Sequence, residues 1–269
     1  MPTDLQHLTQ SEFKVLRKLL QKKYRELEKR FLVEGVHLVE EALDSNWRVE
    51  QVLVTDAFQQ SKAFTQILGQ ARKRGAAVHA VGERELEQLS DSVTSQGILG
   101  VVNAREFSTE EIFSAKNPRS VIVALDSVGD PGNAGTILRT SDWFGADAVV
   151  LGKSSVELFN PKVVRSTMGA VFHLPIFRDA DLREILPKAK QAGYTIISTA
   201  MDNAHALPVP SFPQKSVILF GSEAHGVSRE LDRFSDMRLA IPRFGKAESL
   251  NVASACAIIL ALEKFSPHK

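Results

Sequence analysis

Five short, largely apolar runs punctuate the second half of this 269-residue chain. They are "SVIVALDSV" (120–128), "DAVVLG" (147–152), "YTIISTAM" (194–201), "SVILFG" (216–221) and "MRLAIP" (237–242). The first is apolar and β-branched, as a buried parallel strand should be, and the others read as strands too. Helical segments lie between them: "TILRTSDWFG" closing at Gly145, "NPKVVRSTMG" with Pro161 early and Gly169 at its end, and "ADLREILPKAKQAG", kinked at Pro187. Such alternation dictates a parallel sheet covered on both faces, whose ligands sit off the carboxyl ends of the strands. The residues just after each run are therefore the ones to inspect.

The first half reads as a smaller α/β layer. Phe13, Leu16, Leu20, Tyr24, Leu27 and Phe31 recur at steps of three or four and predict one helix over 10–31. Lys14, Lys18, Lys22, Arg25 and Lys29 recur on another face, either a solvated basic stripe or a contact for RNA phosphate. "FLVEGVHLVEEAL" (31–43) begins a second helix. Strands follow at 49–56, 76–82 and 97–104, with helices between them. The polar stretch after Arg105 divides the chain into 1–105, a linker at 106–119, and 120–269.

Composition removes several classes of function. The formal net charge is +1, so any nucleic acid must be held by local patches. A single Cys excludes an intrachain disulfide and a zinc site built on several thiolates, which suits a reducing, cytoplasmic setting. The N-terminus has no signal-like apolar core. The longest apolar run, 252–262, is too short to span a bilayer.

Three post-strand stretches carry polar residues. "GDPGNAG" has glycines at 129, 132 and 135, which is neither GxGxxG nor a P-loop. It predicts a tight turn, with Asn133 beside a helix N-terminus suited to an anion. Arg139, one turn into that helix, could pair with phosphate in bidentate fashion or be a surface charge. "GSEAHGVS" offers Gly221 for close backbone approach, Glu223 at a strand end, and His225 as an exposed or acid–base group. "IPRFGKAESLNVASACAIIL" (241–260) places Glu248, Ser249 and Asn251 before an apolar helix, with Ser249 as the expected cap and Asn251 inside the first turn. Three such loops after parallel strands favour one shared pocket.

"NAGTILRTSDWFGADAVVL", "ILFGSEAHGVS" and "IPRFGKAESLNVASACAIIL" resemble, in order and spacing, the three motifs of the SpoU (TrmH-type) RNA ribose 2′-O-methyltransferases of the SPOUT class. "FLVEGVHLVEEAL" and "SQGILGVV" resemble the family's appended substrate-binding domain more loosely. The resemblance implies a C-terminal parallel-sheet domain threading a trefoil knot, preceded by the smaller α/β domain. It also implies S-adenosylmethionine as methyl donor, an RNA partner, and a homodimer with no membrane association. Gly221, Ile241 and Leu250 match cofactor-contact positions, and Thr199 is a weaker addition. The candidate catalytic set is Arg139, Asn133, Glu223, Ser249 and Asn251. Arg139 would orient the 2′-hydroxyl and its neighbouring phosphate, because a group with a pKa above about 12 is a poor base. Asn133, Glu223, Ser249 and Asn251 would fix the Arg, the ribose and the loops. Arg165 is either an RNA-phosphate contact or an exposed helix charge, and Lys22 and Arg25 share that ambiguity. Where the family often has Ser after "SLNV", this chain has Ala253.

The implied reaction is methylation of a ribose 2′-hydroxyl. Ribosomal RNA is favoured over transfer RNA because the simplest tRNA enzymes of the family lack the N-terminal domain. The rivals are a tRNA 2′-O-methyltransferase, a non-catalytic RNA-binding or ribosome-assembly protein on the same scaffold, and a nicotinamide-dependent Rossmann enzyme. The absence of GxGxxG argues against the last.

Overall fold

The computed structural model describes residues 5–92, 94–113, 118–200, 205–206 and 211–267. Met201, at the end of one expected strand, and part of the expected linker lie outside the described residues. The chain forms two compact units. One comprises the chain up to Arg105 together with Phe159–His173, and the other comprises Glu106–Leu158 and Leu174–Lys269.

The first unit opens with α1 (Gln10–Lys18), α2 (Lys22–Glu28), β1 (Arg30–Glu34) and α3 (Val36–Asp44). It continues through β2 (Val49–Val54), α4 (Asp56–Gln59), α5 (Lys62–Arg74), β3 (Ala77–Ala80), α6 (Glu83–Glu87) and β4 (Ile98–Asn103). Its sheet runs β1-β4-β2-β3, antiparallel at β4 and parallel between β2 and β3.

The single helix expected over 10–31 is corrected to two helices and a strand. Leu16 and Leu19 are both buried, and the turn after Lys18 lets each reach the core. The break frees the Leu19 carbonyl, which accepts a 2.8 Å hydrogen bond from Arg25 Nη1. Arg25 is buried in consequence, off the solvent-facing basic stripe, so its expected phosphate contact is corrected to a structural one. Leu27, placed on the apolar stripe, is 69% exposed. Phe31 lies in β1, and the helix expected from residue 31 begins only at Val36.

The second unit starts with α7 (Thr109–Phe113), β5 (Ser120–Leu125), α8 (Pro131–Trp143) and β6 (Ala148–Gly152). The next segment, α9 (Pro161–Thr167) and a 3₁₀ turn at Ala170–Phe172, belongs to the first unit. There Phe159 stacks on Phe31 with ring centroids 4.3 Å apart, and Phe172 meets Trp47 edge-on at 5.5 Å. Aromatic pairs of this geometry add about 0.5–1.5 kcal/mol each beyond their buried area.

The second unit then resumes with β7 (Ile176–Ala180), α10 (Leu182–Gln191), β8 (Thr195–Ala200), β9 (His205–Ala206) and β10 (Lys215–Phe220). It ends with α11 (Arg229–Asp232), β11 (Met237–Ala240) and α12 (Val252–Phe265). Its sheet is parallel throughout, in the order β7-β6-β5-β10-β8-β11-β9. Strand β7 was not anticipated, because Arg178 and Asp179 interrupt its apolar pattern. Leu182, Ile185, Leu186 and Ala189 of α10 join Ile122, Ala124, Val150, Ile196 and Val217 in one core cluster. On α12, Val252, Cys256, Ile259 and Leu260 are buried, and this helix packs on α8. Among the described residues, no helix is long and apolar enough to cross a membrane.

Candidate active site

Parallel strands release their following segments from one edge. The ends of β5, β10, β8 and β11 are consecutive there, a span of about 15 Å at roughly 4.8 Å per strand. The three polar stretches leave from β5, β10 and β11.

After β5, the helix starts earlier than the glycines suggest. Asp130 is the N-cap of α8, its carboxylate accepts from the Asn133 N–H at 2.8 Å, and Pro131 occupies the first helical position. Asn133 therefore stands in the first turn, not in a preceding loop. The N-terminus expected to attract a phosphate already holds the Asp130 carboxylate, so that anion site is corrected. Arg139 lies six residues beyond Asn133, about 9 Å along the axis at 1.5 Å per residue. Its side chain is exposed and makes no hydrogen bond or ion pair among the described residues.

After β10, the chain folds tightly back on itself. Ser222 and Gly226 exchange backbone hydrogen bonds of 3.1 and 2.8 Å. A Cβ at Gly221 would lie 1.9 Å from the Gly226 carbonyl carbon and 2.0 Å from the Val227 nitrogen, so this closure requires glycine. The fold-back presents Glu223 and His225 to solvent.

After β11, residues 241–250 run without regular structure to α12. Asn251, not Ser249, caps that helix. Its Oδ1 accepts from Ala253 N at 2.9 Å and Ser254 N at 3.2 Å, which corrects the expected assignment. Ser249 is exposed and makes no hydrogen bond among the described residues.

These stretches meet through side chains. Asn251 Nδ2 donates to Asn133 Oδ1 at 2.9 Å, and Asn133 Nδ2 donates to Glu223 Oε1 at 2.6 Å. Three residues from three separate post-strand stretches, one in the first turn of α8, one in the fold-back and one capping α12, thus form one hydrogen-bonded line. Each amide uses both ends, and Asn251 caps its helix at the same time. Sequence patterning missed Asp130, although Asp followed by Pro is a helix-start signature.

The cofactor candidates differ in their burial. Gly221 is buried in the fold-back, and the half-buried Thr199 donates its hydroxyl to Leu219 O at 3.1 Å. Ile241 is half-buried, and Leu250 is 50% exposed. Across 243–250, no backbone N–H is hydrogen-bonded among the described residues. Burial pushes the thiol of Cys256 far up, so the chain's single cysteine is no nucleophile.

The RNA-contact candidates divide as well. Lys22 is exposed and pairs with Glu26 at 3.5 Å. Arg165 is neither a free contact nor a plain exposed charge, for it bonds Asp91 at 3.0 Å and lies 3.9 Å from Glu34.

The SpoU rRNA Methylase family pattern matches residues 120–261, which contain all three stretches. The chain belongs to the SpoU family. An MRM3-like substrate binding domain pattern matches residues 10–100. Among SpoU relatives, the chain is 36% identical to the 23S rRNA (guanosine(2553)-2′-O)-methyltransferase RlmP of Bacillus subtilis, over 91% of this chain and 92% of that one. Its structure is similar to an AdoMet-bound rRNA methyltransferase from Sinorhizobium meliloti, with TM-score 0.82 and 31% identity over 97% and 96% of the two chains. It also resembles the SpoU methyltransferase AviRb from Streptomyces viridochromogenes in complex with AdoMet, with TM-score 0.83 and 25% identity over 95% and 97%.

Proposed function

We propose that this SpoU-family chain is an S-adenosylmethionine-dependent methyltransferase acting on a ribose 2′-hydroxyl of ribosomal RNA. The observation that carries this reading is the Asn251–Asn133–Glu223 line, which unites the three family stretches at one sheet edge. The rRNA methyltransferases among its relatives favour rRNA over tRNA, and the substrate-binding pattern over 10–100 supports a substrate-binding role for that part of the chain. In this reading 1–105 binds RNA, 106–119 links, and 120–269 carries the reaction.

The residues present suit the methyl donor. Adenine needs an apolar wall and backbone partners, and the exposed Leu250, the half-buried Ile241 and the N–H groups of 243–250, unpaired among the described residues, offer both. Gly221 and Thr199 complete the set. When bound, S-adenosylmethionine supplies a methyl group already activated on a sulfonium, so positioning carries much of the catalysis. Arg139 holds the 2′-hydroxyl and its neighbouring phosphate, and its fixed positive charge stabilises the developing alkoxide. Asn133 and Glu223 hold the start of α8 and the fold-back in register with the ribose. The Ser249 hydroxyl, with no hydrogen bond among the described residues, is open to substrate or cofactor, and Asn251 fixes the start of α12. Lys22 and Arg165 serve as outlying phosphate contacts.

The same reading makes the C-terminal domain a trefoil knot. The chain passes from β11, at the far side of β8, back to α12 against α8, a path that supports threading. It also makes the protein a cytoplasmic homodimer. Trp143 on α8 and Phe265 on α12 are 84% and 83% exposed, apolar surface that supports a second copy as partner.

Mapping of ribose methylation in RNA from cells with and without this protein tests the proposal. One 2′-O-methyl site should vanish from rRNA in the deletion. An unchanged map, with no label transferred from donor to rRNA in vitro, would leave a non-catalytic RNA-binding role instead.

A further inference from the structure

One buried carboxylate near the site is used by none of the roles above. Asp126 follows β5 directly and is 8% exposed. It has no cationic partner among the described residues. Its backbone N–H donates to Phe220 O at 2.8 Å, the last residue of β10. Its side chain bridges two segments: Oδ2 accepts from Ser228 N at 2.8 Å, and Oδ1 accepts from Ser127 Oγ at 3.0 Å. Ser228 is the exit of the 221–227 fold-back that carries Glu223. Ser127 begins the path to Asp130 and Asn133, and it sits in the left-handed region at φ 60°. A side chain with a Cβ is disfavoured in that conformation, so the hydroxyl bond to Asp126 helps to hold the turn.

We propose that Asp126 is a positioning residue that sets Glu223 against Asn133. The fold-back is closed at its root by the Ser222–Gly226 pair and secured at its exit by Asp126. The turn into α8 departs from the same residue. The 2.6 Å Asn133–Glu223 bond therefore joins two arms with a common root. The inference rests on the methyl-transfer reading, which the activity of the unaltered protein reports on separately.

Substitution in the full-length chain tests it, with turnover on rRNA, donor affinity and Tm all measured. Asp126→Ala should lower kcat by on the order of 10-fold or more, as loss of alignment does, while donor affinity holds within about two-fold. Asp126→Asn should restore kcat, because its amide oxygen can accept from Ser228 N and its amide N–H can donate to Ser127 Oγ. In a Glu223→Ala background, Asp126→Ala should add little, since the arm it positions no longer reaches Asn133. Ser228→Pro removes the same N–H at φ −61°, a value proline adopts. It should match Asp126→Ala, and it decides the matter if that variant does not fold. Full kcat in Asp126→Ala, loss in Asp126→Asn equal to that in Asp126→Ala, or effects that multiply with Glu223→Ala would each overturn the proposal.

Discussion

Around Asn133 the polar side chains are already committed to one another, whereas along 243–250 the backbone N–H groups have no partner among the described residues. The first region has its geometry set before any ligand arrives. The second leaves Leu250 half in water and Phe244 97% exposed, surface that a bound ligand could cover. A methyltransferase gains from this division. Hydrogen bonds made in advance keep the reacting groups aligned at no cost during the reaction. In the proposed reading, the open segment offers its donors and apolar surface to the ligand that must enter and leave at each turnover.

The contrast can be broken at the group that belongs to neither side. Arg139 is exposed and unpaired among the described residues, so its guanidinium is available to substrate. Arg139→Ala should cut methyl transfer by on the order of 10²-fold or more, the scale of losing one charge-stabilising donor. Calorimetry should show donor binding unchanged, and near-normal turnover would remove Arg139 from the mechanism. On the open side, Leu250→Asp should weaken donor binding about 10-fold, from lost apolar contact. Its Tm should hold, because half of that side chain already faces water.

The committed side responds in stability as well as rate. Asn251→Ala removes the cap of α12 and should cost about 1 kcal/mol, read as a drop of roughly 2–4 °C in Tm. Ser249→Ala should leave stability within about 0.5 kcal/mol. A larger loss at Ser249 than at Asn251 would reverse the capping assignment.

Much of the second unit was readable because buried parallel strands announce themselves as apolar runs, which directs attention to the residues after them. Asn133, Glu223 and Asn251 were singled out there, and the likeness to the SpoU motifs, not the spacing, suggested their roles. The division of labour between Ser249 and Asn251 was not. A cap is defined by where the backbone turns helical, and both residues are good caps. The break near Leu19 was hidden by a stripe that continues through it at helical spacing, since tertiary burial decided the outcome. Asp126 escaped notice inside "SVIVALDSV", read as an uninterrupted strand. A carboxylate ending such a run was the available signal.

The packing of Phe159–His173 into the first unit has a consequence for synthesis. Phe31 and Trp47 leave the ribosome early, yet the aromatic rings that cover them, Phe159 and Phe172, are made 54 and 67 residues after Arg105. At about 5–20 residues per second this delay lasts several seconds. During it the nascent first unit presents bare aromatic surface. Its completion waits for translation to pass β6, so the two units finish folding in an interleaved order, with neither simply following the other.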